Sequence, residues 1–138
     1  MNTRAIPLHP TIELGTLVRR YPLGLVFIAG TRDIPADALT ALPVQWVHGS
    51  DMRDPTPFLT PRTVLLTTGS QFARDADAQE ADAYVAHLRS ASVTALGFGV
   101  GIAWERIPQI LIDACERDAL PLFRVPYETP FIAIVQAA

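Results

Sequence analysis

The chain has 138 residues, 49% of them hydrophobic and 18% charged, with 11 Arg and Lys against 14 Asp and Glu and a formal charge of -3. A chain of this size removes roughly two-thirds of its extended surface from water, enough for one core and too little for two full domains. All eleven basic residues are arginine, and the acidic balance argues against these residues gripping nucleic acid, because counterion release needs a concentrated basic face.

Cys115 is the only cysteine. An intrachain disulfide and a four-cysteine zinc site are therefore excluded, and a cytoplasmic location is expected. Residues 1–10 carry Pro7 and Pro10 and lack the apolar core of a secretory signal, so they read as a flexible lead-in to a domain over 11–138. The longest apolar runs, 23–29 and 93–103, are interrupted by glycine or polar residues and fall short of the ~20 residues that span a bilayer.

In chain order, Thr11 is placed to cap a helix over 11–20, with Glu13 in its first turn and Leu14, Leu17 and Val18 as its apolar stripe. A buried strand over 25–29 stops at Gly30, and a polar connection over 31–43 leads to a second strand over 44–48. Three prolines make 51–61 an ordered loop. Residues 63–67 form a third strand, followed by a helix over 77–90 in which Asp77 and Glu80 resemble a capping pair. A fourth strand over 94–98 precedes a helix opened by Pro108, with Ile107, Ile110, Leu111, Ala114 and Cys115 on one face. The fifth strand covers 122–125. Thr129 and Pro130 then start a last helix barely two turns long at Ala138, whose apolar face suggests that the native chain continues.

Strands alternating with helices in the second half point to right-handed crossovers. The expected class is α/β, a single domain with a mainly parallel five-stranded sheet flanked by helices. Such sheets hold ligands beyond the carboxyl ends of their strands. Those ends bring His48, Ser50, Asp51, Thr67, Thr68, Gly69, Gly97, Gly99, Gly101, Tyr127 and Glu128 to one rim, a mixture of hydroxyls, carboxylates, an imidazole, backbone N–H groups and an aromatic ring suited to a polar small molecule. Ordinary turn chemistry accounts for each of these residue types singly, and only their coincidence suggests a site.

Gly97, Gly99 and Gly101 are spaced GxGxG rather than GxGxxG, with no following Lys-Ser or Lys-Thr, so no nucleotide cofactor is expected. His9, His48, His87 and Cys115 lack ligand spacing, so no metal is assigned. Ser50 has no nucleophile elbow, and Cys115 lies on the inward face of its helix, where an inert thiol is the default.

Three separated stretches carry a family resemblance. They are Trp46-Val47-His48-Gly49-Ser50-Asp51 with Val64-Leu65-Leu66-Thr67-Thr68-Gly69, then Ala95-Leu96-Gly97-Phe98-Gly99-Val100-Gly101, then Leu120-Pro121-Leu122-Phe123-Arg124-Val125-Pro126-Tyr127-Glu128-Thr129-Pro130-Phe131-Ile132. From about Thr11 onward the chain resembles the N-terminal domain of PucR-type transcriptional regulators, named for purine catabolism. The resemblance implies a metabolite-sensing domain upstream of a C-terminal helix-turn-helix that is not in this chain. Against the family pattern, the connection from Gly30 to Pro43 is long and Gly49 stands where a larger residue is common.

The expected function is thus effector sensing, with no catalytic residues, no cofactor and no membrane partner. The effector would be a small polar metabolite such as a purine catabolite, a ureide or an amino acid derivative, and DNA would be reached only through a C-terminal domain. A homodimer is expected. The competing readings are a ligand-free dimerisation module built on the last helix, and a small hydrolase or transferase using Ser50 or Asp51 with His48.

Overall fold

The computed structural model describes residues 11–20 and 22–138; the expected lead-in over 1–10 lies outside the described residues. In chain order the elements are β1 (Ile12–Glu13), α1 (Leu14–Val18), β2 (Val26–Ala29), α2 (Ala36–Thr40), β3 (Pro43–Val44), β4 (Trp46–Gly49), a 3-10 turn (Thr56–Phe58), β5 (Thr63–Thr67), α3 (Ala78–Ser90), β6 (Ala95–Gly99), α4 (Gln109–Arg117), β7 (Leu122–Val125) and α5 (Phe131–Ala137). The main sheet has five strands in the order β2-β7-β6-β5-β4. β4 through β7 are mutually parallel, and β2 adds an antiparallel edge in which Val26 faces Arg124 and Phe27 faces Phe123. The expected α/β class and mainly parallel sheet are therefore present.

β5 and β6 are buried at every position. A strand covered on both faces reads as a nearly continuous apolar run, which is how 63–67 and 95–99 appear in the sequence. Alternate residues serve two cores. Leu65, Leu96, Phe98 and Leu122 pack with Tyr84, Leu88, Leu111 and Cys115 of α3 and α4. Val64, Leu66, Ala95, Phe123 and Val125 pack on the other face with Leu14, Leu17, Leu39 and Ile134 of α1, α2 and α5. A one-residue slip would exchange the two sets, so register is strongly specified. Because β4, β5, β6 and β7 lie in sequential order, crossovers of one hand place both α3 and α4 on the same face.

The predicted cap of α3 is present: Asp77 Oδ1 accepts a hydrogen bond from the Glu80 N–H at 2.9 Å. Cys115 is fully buried, as its place on the inward face of α4 required.

Four details depart from the expectations. The first helix covers only Leu14–Val18, because Ile12 and Glu13 pair antiparallel with Val44 and Pro43, and Leu14 N–H donates to the Leu42 carbonyl at 2.8 Å. Thr11 is consequently not its cap. The connection over 31–43 contains the short helix α2, which packs so closely on α1 that a Cβ on Gly15 would stand 2.6 Å from Thr40 Cβ. The single strand expected over 44–48 is divided at Gln45, whose N–H donates to the Arg62 carbonyl at 2.8 Å, so Val44 serves the small sheet and Trp46–Gly49 the large one. Finally, Pro130 occupies the N-cap of α5, and the Thr129 hydroxyl instead donates to the Leu23 carbonyl at 2.6 Å. That bond ties the start of α5 to the segment before β2.

Candidate functional site

The parallel strands bring the carboxyl ends of β4, β5, β6 and β7 to one edge, but the predicted residues settle there in separate places. Asp51, just past β4, reaches across to the segment after β5. Its carboxylate accepts from Thr67 Oγ1 at 2.7 Å, Thr68 N–H at 2.8 Å, Thr68 Oγ1 at 2.6 Å and Ser70 Oγ at 3.0 Å. Partial burial pushes the Asp51 carboxyl up. The bonds from Thr68, Thr67 and Ser70 outweigh that effect and hold it below the usual carboxylate range. Thr67 Oγ1 also accepts from Gly69 N–H at 3.2 Å and Gln71 Nε2 at 3.1 Å. This cluster is a self-satisfied clasp between the β4 and β5 ends. Its donors are already spent on Asp51, so its first effect is to fix the rim.

Ser50 is committed locally, its Oγ accepting from Met52 N–H at 3.2 Å in a side-chain turn. His48 is exposed and opens, with Trp46 and Phe58, onto a hollow of about 120 Å3. Gly97 lies inside the sheet, where a Cβ would meet the Phe123 ring at 2.6 Å and Leu66 Cδ2 at 2.7 Å; its role is packing.

The remaining predicted residues converge. Gly99, Tyr127 and Glu128 line a cleft of about 600 Å3 between the turns that follow β6 and β7, together with Ile102, Pro130 and Phe131. Gly101 shapes it: φ is +93°, and a Cβ there would stand 2.8 Å from the Tyr127 ring. Tyr127 is 66% and Ile102 65% exposed. Large side chains this open at the ends of parallel strands are surplus to core packing. Phe131, the first residue of α5, forms the far wall, and its ring lies over Gly99 and Gly49. The close approach is at Gly99, where a Cβ would stand 2.9 Å from the ring; at Gly49 it would make only an ordinary contact at 3.7 Å.

Sequence reasoning missed Ser70, Gln71 and the double role of Phe131. The hydroxyl-rich run Thr67-Thr68-Gly69-Ser70 was a local hint of the clasp, but nothing local joined Phe131 to two glycines in distant strands. Among the described residues, no group of three His, Cys, Asp or Glu side chains is arranged to hold a metal, and no helix is long and apolar enough to cross a membrane.

The family model of the purine catabolism regulatory protein-like family, PucR, matches residues 27–138. The chain belongs to this family. The match takes in the whole five-stranded PucR sheet apart from Val26, as well as both the clasp and the cleft, and begins after β1 and α1. PucR is a regulatory family. No curated protein and no solved structure gave a significant match.

Proposed function

We propose that this chain is the effector-sensing domain of a cytoplasmic PucR-like transcription regulator, and that the effector enters the cleft between the β6–α4 and β7–α5 turns. One observation supports this reading above others: Phe131 belongs both to the cleft wall and to the seat of α5 on the sheet. A planar, hydrogen-bond-rich metabolite such as a purine catabolite or ureide would stack on Tyr127, take polar contacts from Glu128 and the backbone near Gly99, and press on Phe131. A ligand shifts an equilibrium only by its differential affinity for two states, and here those states are α5 seated and α5 displaced. DNA contact is assigned to a helix-turn-helix outside these residues, in keeping with the charge of -3.

The test is thermal-shift screening of purines, ureides and related amides, followed by Tyr127→Ala on any hit. Stabilisation that vanishes in the variant supports the cleft. The absence of stabilisation by every compound at millimolar excess counts against it. A second reading, a dimerisation module, draws on Ile132 and Val135 of α5, which are 59% and 37% exposed. Sedimentation at several concentrations separates the two, since a strict monomer would exclude dimerisation.

A further inference from the structure

A second pocket, of about 270 Å3, opens between α3 and the loop that follows β4. Glu80, Tyr84 and His87 recur on one face of α3 and form one side, Gln71 and Phe72 form the base, and Arg53 reaches in from the loop. The Phe72 and Tyr84 rings meet edge to face with centroids 5.1 Å apart, an aromatic floor. At its Gln71 side the buried Tyr84 hydroxyl sits beside Thr67 and Gln71, and the Gln71 amide donates to Thr67 Oγ1 at 3.1 Å.

The charges around the pocket are uncompensated in a specific way. The His87 imidazole lies 3.7 Å from the Asp54 carboxylate. The Arg53 guanidinium and the Glu80 carboxylate, by contrast, have no side-chain hydrogen bond or ion pair among the described residues. A simple anion would be drawn by Arg53 and repelled by Glu80, and a simple cation the reverse. A molecule carrying both charges satisfies both. We infer that this pocket binds a small zwitterion of the α-amino acid type, its carboxylate on Arg53, its ammonium on Glu80 and its side chain on the Phe72 and Tyr84 rings. The site is separate from the cleft at Tyr127 and does not depend on the reading of that cleft.

The experiment is a titration of the 15N-labelled 138-residue protein with each common α-amino acid at up to millimolar concentration, read by amide chemical shifts. Any binder is then compared with its decarboxylated amine and its deaminated acid. At least one amino acid should move the amides of Gln71, Ala83, Tyr84 and His87, and both truncated analogues should bind about tenfold more weakly, or worse, for want of one charge-assisted contact. Arg53→Gln and Glu80→Gln should weaken binding by a similar factor; the melting temperature of the free protein should be unchanged in Arg53→Gln and only slightly lower in Glu80→Gln, which takes an acidic charge from the first turn of α3. The inference is overturned if no amino acid perturbs these amides, if an analogue lacking one charge binds as well as its parent, if both variants bind undiminished, or if the shifts fall on Gly99 and Tyr127 instead.

Discussion

The ring of Phe131 lies over Gly99 so closely that a Cβ on that glycine would stand 2.9 Å from its Cε1 and Cζ atoms. A side chain at position 99 must therefore displace the first residue of α5. Gly99→Ala is expected to cost about 1–2 kcal/mol in urea unfolding, at the low end of overpacking because a half-buried ring can yield. Hydrogen exchange should rise over α5 and not over β5. Unchanged protection of α5 would show that Phe131 does not hold it.

Gly97 supplies the contrast. Its added Cβ would meet the Phe123 ring, which is fully buried between strands and helices and has nowhere to move. Gly97→Ala should be the more damaging of the two, by about 1 kcal/mol or more in the same assay. The reverse order would contradict the account of which ring is free to shift.

Asp51 is expected to make stability depend on acid. Its carboxyl titrates below the ordinary value in the folded chain, so the stabilisation is fully present above the unfolded pKa of about 3.8 and is lost as pH falls through the lower folded value. Asp51→Ala removes the acceptor of Thr67, Thr68 and Ser70 and should cost roughly 1–3 kcal/mol near neutral pH. The gap between variant and parent should narrow as pH falls below about 3.8 and through the lower folded value, as measured by urea midpoints across pH. A gap independent of pH would mean that the carboxylate charge is not what the clasp uses.

Burial pushes the Cys115 thiol up to about 12. With almost no thiolate and no access, it should resist thiol reagents at pH 8 in the native protein and react at once in denaturant. Rapid labelling of the folded chain would contradict its place between α4 and the sheet.

The Thr129 hydroxyl, bonded to the Leu23 carbonyl, anchors the turn before α5. Thr129→Val keeps the shape and leaves that carbonyl without its partner, with an expected loss of about 1 kcal/mol. A loss of much more than this in thermal unfolding would assign the residue a packing role instead.

What the sequence by itself determined was whatever short-range patterning dictates. The unbroken apolar runs of β5 and β6 announce strands covered on both faces, the Asp77 and Glu80 pair starts α3 with its own local hydrogen bond, and alternation of strand and helix after residue 60 implies the parallel order that brings the strand ends together. Only the tertiary structure decided where long-range partners outcompete local preference. Pairing with Pro43 and Val44 takes Ile12 and Glu13 out of the first helix, and the Arg62 carbonyl divides the strand before Trp46. The same distinction governs the site. Residue types placed Asp51, Thr67, Thr68, Gly99 and Tyr127 at one rim, but periodicity carries no record of which polar groups are already satisfied. The hydrogen bonds within the fold close the Asp51 group on itself, and the ring of Phe131, lying over two glycines from separate strands, is what ties the open cleft at Tyr127 to the last helix.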